Sequence, residues 1–246
     1  MVIWYVPCIR IAVTNMKKTL IILTAILFGI TFCIGQDDFQ TDSETHIFWQ
    51  PEKGLKRSDF KGDATKIPNA EKYCDTIGLC TVASIGVFAV LDIPKKKKLR
   101  GKLKEKPYIA PAFEYSTSYI VKNDSLGLEK QKVVFDICEL SARWMRKELA
   151  EMVNKMDAYG TISIWFKTIE SDAQKMRTEM IDGFTQEVFI FKKEGAYLDW
   201  REKVDELLKE SEKFATKPEE CYRFVSKKPL DQNYIMAKKV IGKLFE

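Results

Sequence analysis

The feature that most constrains the fold is a long apolar stripe in the middle of the chain. Seven residues recur at intervals of three or four positions: Val134, Cys138, Ala142, Met145, Leu149, Met152 and Met156. This spacing places all seven on one face of an α-helix. Gly160 follows and is expected to close the helix. A helix of this length must bury its stripe, so the rest of the chain has to supply a sheet or further helices.

Strand-like segments come before this helix, and helical segments come after it. Three segments are rich in β-branched and aromatic residues, which favour strands: residues 46–49, 76–91 and 108–121. Residues 161–169 fit a strand or a helix equally well. Residues 194–213 predict a helix, and a short helix is expected near residues 235–244. This order predicts an α+β fold in which a small antiparallel or mixed sheet precedes a long helix and further helices.

The first 35 residues have the layout of a secretory signal peptide. A short basic region begins at Met16-Lys17-Lys18, and residues 20–34 form an apolar run that is short for a bilayer span. We expect cleavage before Gln36, with Met16 as an alternative start, and a flexible leader over residues 36–45. The exported chain would be periplasmic or extracellular. An uncleaved membrane anchor is the alternative.

The charge balance gives no case for nucleic acid as a partner. Without residues 1–35, 37 basic residues face 35 acidic ones. The most basic segment spans residues 95–106 and begins with Lys95, Lys96, Lys97 and Lys98. Two interpretations are open: weak contact with an anionic surface, or a solvated hairpin loop. The lack of aromatic residues among the charges favours the loop.

Export implies an oxidising compartment, in which disulfides form. Four cysteines remain after residue 35: Cys74, Cys80, Cys138 and Cys221. Four cysteines allow three pairings, and Cys74 and Cys80 are close enough in sequence to form a local bridge, which we expect. A zinc site made of all four is the alternative, although no C-x-x-C spacing is present.

The chain contains a single histidine, His46. Sites that need two or three imidazoles are therefore excluded, which removes most catalytic zinc centres. His46 lies in a short apolar strand, so we predict a half-buried structural histidine rather than a member of a Ser-His-Asp triad. No Gly-rich phosphate loop and no G-x-S-x-G motif is present. The residues alone therefore predict no active site and no cofactor.

Several motifs resemble those of a family of secreted bacterial proteins, catalogued as a domain of unknown function and presumed to be zinc-dependent proteases. The family pattern around its metal-binding helix reads H-E-Q-x-H-F-D-I-x-E-x-x-A-R. The chain matches the second half of this pattern at six positions: Phe135, Asp136, Ile137, Glu139, Ala142 and Arg143. It also matches the S-D-F-x-G part of the family's opening signature: Ser58, Asp59, Phe60 and Gly62. The resemblance implies a protease-like α+β domain over residues 46–215 and a helical extension over residues 216–246.

The chain departs from the family at the residues that carry the chemistry. Alignment puts Lys130, Gln131 and Val134 where the family has His, Glu and His, and it puts Glu187 where a further ligand is expected. An ammonium group repels a metal ion and valine cannot bind one. Glutamine cannot act as a general base.

The resemblance therefore implies a non-catalytic relative that acts as an envelope binding or scaffolding protein with an unknown partner. The alternative is a hydrolase or peptidase with a relocated site, built without histidine from carboxylates of the helical half. In the first interpretation, a salt bridge between Lys130 and Glu187 replaces the metal ion. Two unrelated surface charges are the competing interpretation of that pair.

Overall fold

The computed structural model describes residues 39–124, 126–156 and 158–237. Within these ranges the chain forms a four-stranded antiparallel sheet, followed by a long helix and further helices. The predicted α+β fold class is confirmed. The predicted signal peptide over residues 1–35 lies outside the described residues, as do residues 36–38 of the leader.

The sheet has the strand order β1-β3-β2-β4, and every neighbouring pair is antiparallel. The strands are β1 (His46–Phe48), β2 (Thr81–Pro94), β3 (Lys106–Ile120) and β4 (Tyr234–Met236). β2 and β3 form a long hairpin. Its connecting loop contains the basic segment, in which Lys95 to Lys98 are all exposed.

Strand β4 differs from the short helix expected over residues 235–244. Ile235 lies opposite Ile93 of β2, so this segment adds a strand to the sheet. The edge of β2 has N–H and C=O groups that need partners, and the backbone of β4 supplies them. Residues 238–246 lie outside the described residues.

A bulge in β3 interrupts its pairing with β2, and Gly62 of the S-D-F-x-G motif packs closely against it. Val82 lies opposite Tyr119, whereas Ser84 already lies opposite Glu114, so β3 carries extra residues between these pairs. The Gly62 N–H donates to the Ser118 carbonyl oxygen at 2.8 Å. A Cβ atom at Gly62 would lie 2.8 Å from that same oxygen, so the approach requires glycine.

The neighbouring signature residues support the same turn. The Asp59 carboxylate accepts the Lys56 N–H at 2.6 Å, which closes the turn Arg57–Asp59. The Phe60 ring packs edge-on against Phe113, with 5.0 Å between ring centroids, and Ser58 is exposed. The S-D-F-x-G motif thus docks a loop against β3.

Five α-helices lie in the described ranges: α1 (Ala70–Ile77), α2 (Gly127–Met156), α3 (Thr161–Thr185), α4 (Ala196–Glu210) and α5 (Pro218–Val225). A π-helical turn, Gln186–Ile190, continues α3. The predicted stripe lies on α2, and its central residues Cys138, Ala142, Met145 and Leu149 are buried.

The ambiguous residues 161–169 form the first part of α3. Ile162, Phe166 and Ile169 are buried against α2 and the sheet at helical spacing. Gly160 has φ +86°, a left-handed conformation that lets the chain turn between α2 and α3. The sequence pattern of this segment fits a strand or a helix, and packing against α2 makes it helical.

Helices cover both faces of the sheet. α2 and α3 pack on the face that carries Ala89, Leu91 and Ile109. On the other face Phe224 of α5 packs against Phe48, with 5.5 Å between ring centroids. No helix in the described ranges has an apolar stretch long enough to cross a bilayer.

The segment after residue 216, expected to be a helical extension, is tied into the sheet. Arg223 of α5 donates to both Asp92 carboxylate oxygens at 2.8 Å, and both side chains are fully buried. Residues 39–45, expected to be a flexible leader, also contact the folded part. Asp42 forms an ion pair with Lys53, and the Phe39 and Tyr222 ring centroids lie 5.5 Å apart.

The predicted disulfide between Cys74 and Cys80 is present and connects α1 to the start of β2. A zinc site of all four cysteines is therefore excluded. Cys138 and Cys221 are buried thiols. Burial raises the pKa of Cys138 to about 12 and also raises the pKa of Cys221, so both stay protonated at neutral pH.

We predict that the double substitution Cys74→Ser/Cys80→Ser lowers the free energy of unfolding by about 2 kcal/mol, because the bridge restricts a short loop of the unfolded chain. Urea unfolding followed by circular dichroism measures the change. Reductant should destabilise the wild type by a similar amount and leave the double variant unchanged. Equal stability of variant and oxidised wild type would contradict the prediction.

Candidate functional site

The positions of the family's metal ligands lie where the start of α2 meets the π-helical turn and α4. Lys130 points its ammonium group at an aromatic face: Nζ lies 4.8 Å from the centroid of the Phe189 ring. Val134 packs against an apolar cluster that includes Phe184 and Trp200. Both side chains therefore serve helix packing.

Gln131 is the residue that the resemblance places at the family's general base. Its side chain is 5% exposed, and Oε1 accepts the backbone N–H of Ala83 at 3.0 Å. Ala83 of β2 lies opposite the bulge of β3, where the ladder between the two strands is interrupted. The amide oxygen of Gln131 thus accepts a backbone N–H that has no partner in the sheet.

Glu187 has other partners than the predicted one. Its two carboxylate oxygens accept Lys193 Nζ at 2.6 Å and Trp200 Nε1 at 2.7 Å. These hydrogen bonds, first that from Lys193, lower the pKa of Glu187. No ion pair joins Lys130 to Glu187 among the residues that the structure describes, so the predicted salt bridge is wrong. Trp200 of α4 lies within reach of Glu187, and Phe189 covers Lys130.

The residues at this position do not fit a zinc ion, which the resemblance implies. The adjacent cavity of about 400 Å³ is lined by Lys130, Lys192 and Lys193. Three ammonium groups disfavour a divalent cation. Nowhere in the described ranges do three or more His, Cys, Asp or Glu side chains come together as a metal would need.

The matching residues of the second half of the motif form a polar face on α2. Asp136 accepts Trp49 Nε1 at 2.8 Å and Arg201 Nη1 at 2.7 Å, so it connects α2 to the end of β1 and to α4. Phe135 is buried beside Trp49 and Phe113. These residues make contacts that connect α2 with the neighbouring elements.

Glu139 is the most buried acid of this polar face. It is fully buried and accepts Arg143 Nε at 2.7 Å and the Thr216 N–H at 2.9 Å. Its second oxygen accepts the Thr216 hydroxyl at 2.6 Å. Arg146 lies 3.8 Å away and donates to the Ile109 carbonyl of β3 at 2.5 Å. One carboxylate thus connects α2 with β3 and with the segment before α5.

The partners of Asp136 and Glu139 are not predicted from the sequence, in which both residues stand out only through the resemblance. A signal was present: Asp136, Glu139, Arg143 and Arg146 have the spacing 3, 4 and 3, which places them on one face of α2. Charges of both signs on a helix that is also apolar on its other faces indicate a buried network.

A cavity of about 370 Å³ opens between α2, α3, α4 and the turn after α4. We call it the helical cavity. Its walls are mainly apolar, and they include Met176 and Met180 of α3 and Leu207 of α4. Arg143 is its one deeply buried charged wall residue. The sequence singles out Arg143 through the resemblance, but not Met176 or Met180, whose spacing is also that of ordinary core positions.

His46 lies in a separate depression of the sheet, which is also lined by Phe88 and Glu114. Its Nδ1 is 2.8 Å from the Thr45 hydroxyl, and burial lowers its pKa. Across the strands, Glu114 lies between His46 and Ser84 in register. A catalytic triad would need the imidazole between the serine and the acid. The half-buried position agrees with a structural histidine.

No known protein family matches this sequence, and no curated protein or solved structure shows significant similarity to it.

We predict that Gln131→Leu lowers the free energy of unfolding by about 1–3 kcal/mol, because the Ala83 N–H then has no acceptor. Gln174→Leu, at an exposed position of α3, is the matched control and should change stability little. Urea unfolding of the three proteins measures the difference. If both variants have the same stability, Gln131 has no structural role.

Proposed function

We propose that this chain is a non-catalytic binding or scaffolding protein of the cell envelope, and a degenerate relative of the zinc-protease-like family. One observation carries the proposal: every position that would serve zinc chemistry makes a structural contact instead. The Lys130 ammonium group packs on the Phe189 ring. The Gln131 side chain accepts the Ala83 N–H, and the Glu187 carboxylate accepts the N–H of the Trp200 ring.

The helical cavity supports a binding role in particular. Ligand sites are concave and mostly apolar, with a few polar groups that fix the ligand. The cavity has this composition, and its lining includes none of Lys130, Gln131, Val134 and Glu187. A binding function therefore needs no residue of the lost active site.

The cellular location and the partner are part of the proposal. The pattern of residues 1–35 supports export to the periplasm or beyond. The partner would be a protein or another envelope component. The exposed lysines of the β2–β3 loop, Lys95 to Lys98, would add a weak contact with an anionic surface.

A hydrolase with a relocated site is the alternative, and one observation favours it. Glu220 lines a cavity beside Arg146, and burial raises its pKa. Glu105 and Glu219 line the same cavity. Glu105 accepts the Ser163 N–H and hydroxyl, and Glu220 accepts Arg146 Nε at 3.2 Å. Both carboxylates are thus engaged in structural contacts, which favours the binding function.

Zinc analysis and a peptidase assay test the proposal on the purified chain. We expect substoichiometric zinc after incubation and desalting, and no cleavage of an unfolded protein substrate with or without zinc. An active zinc peptidase run in parallel shows that the assay works. Stoichiometric zinc with zinc-dependent cleavage would mean that family chemistry is retained. Metal-independent cleavage that is lost in Glu220→Gln would establish the relocated site.

A further inference from the structure

The helical cavity combines apolar walls with a buried cation. Six apolar side chains line it: Leu140, Trp144, Met176, Met180, Leu207 and Phe214. Methionine side chains are flexible and polarisable, so they adapt to an inserted alkyl chain. A volume of about 370 Å³ is at the small end of the range for ligand sites. The walls therefore suit one short apolar chain.

Arg143 gives the cavity a point of specificity. Its side chain is only 4% exposed, and two of its nitrogens have protein partners. Nε donates to Glu139 at 2.7 Å and Nη1 donates to the Leu208 carbonyl at 2.5 Å. Nη2 makes no hydrogen bond to any residue in the described ranges and remains accessible, while the guanidinium lies 5.1 Å from the centroid of the Trp49 ring. A guanidinium so deeply buried gains from an additional acceptor.

The remaining charges at the cavity favour an anion. Lys147 and Lys213 line it together with a single acid, Glu210, so the balance is positive even without Arg143. An ionised carboxylate matches the planar guanidinium in geometry and charge. The charges thus select the head of the ligand, and the apolar walls select its tail.

An alkyl chain fits these walls better than a peptide. A peptide brings backbone N–H and C=O groups that need partners when they are buried. The six apolar side chains offer almost no such partners.

We propose that the helical cavity binds a single-chain fatty acid, with its carboxylate at Arg143 Nη2 and its alkyl chain against Met176 and Met180. This inference rests on the proposed non-catalytic binding function and names its ligand class. Arg143 therefore has two roles, since it holds Glu139 through Nε and receives the ligand through Nη2.

Isothermal titration of the full chain with decanoate tests the inference, with 1-decanol as the uncharged probe and acetate as the head without a tail. We expect one decanoate per chain and binding of 1-decanol that is weaker by about tenfold or more, the worth of one charged hydrogen bond. Acetate should not bind measurably.

Two variants locate the site. Met176→Trp fills the cavity and should abolish decanoate binding. Ile164→Trp, at a 72% exposed position of the same helix, is the matched control and should bind as the wild type does. Arg143→Lys keeps a cation for Glu139 but removes Nη2, so it should lose the preference for decanoate over 1-decanol. Circular dichroism confirms that each variant is folded.

The outcomes separate this inference from the proposed function. Equal binding of decanoate and 1-decanol, or decanoate binding that survives Met176→Trp, would overturn the inference. So would binding of a short peptide with an apolar C-terminal residue in place of decanoate. None of these results affects the proposed lack of catalysis, which only zinc binding or substrate cleavage would contradict.

Discussion

The buried carboxylate of Glu139 is the interaction on which the packing of the helices depends. A carboxylate removed from water is stable only when charged or hydrogen-bonding groups surround it. Here Arg143 and Thr216 supply these groups, and Arg146 lies 3.8 Å away. Each partner extends the connection, since Arg143 bonds the Leu208 carbonyl of α4 and Arg146 bonds the Ile109 carbonyl of β3. The sheet and helices are thereby fixed around α2.

The same network fixes one wall residue of the helical cavity, whereas the positions that the resemblance assigns to zinc chemistry make separate contacts. Arg143 is held by Glu139, so its guanidinium is fixed in the cavity wall with Nη2 left over. Near the start of α2, Gln131 accepts the Ala83 N–H of β2. Glu187 of the π-helical turn accepts the N–H of the Trp200 ring of α4.

The sequence predicts the parts of this fold whose patterns are local. The stripe from Val134 to Met156 predicts α2, and six residues of separation predict the disulfide of Cys74 and Cys80. Residues 161–169 and β4 could not be decided in this way. The first became helical by packing against α2, and the second became a strand because the edge of β2 lies beside it. Tertiary contacts override weak local preferences in both cases.

The candidate site was less predictable than the fold. The degenerate positions came from a resemblance, and their actual partners, such as Phe189 and Ala83, are distant in sequence. The helical cavity needs three helices and a turn, so no single segment carries its signal. The buried state of Glu139 depends on Thr216, which is 77 residues away. Spacing indicated the face of α2 on which Glu139 lies, but not what covers it.

The stability of Glu139→Met tests the central claim most directly, since the substitution keeps the volume and removes the carboxylate. If Glu139 holds α2 to the rest of the fold, urea unfolding should show a loss of about 3–5 kcal/mol, the cost of breaking a buried ion pair. Glu151→Met is the matched control on the same helix, because the Glu151 side chain is 43% exposed and lies 3.9 Å from Lys155. It should lose about 0–1 kcal/mol. Equal losses in the two variants would contradict the account.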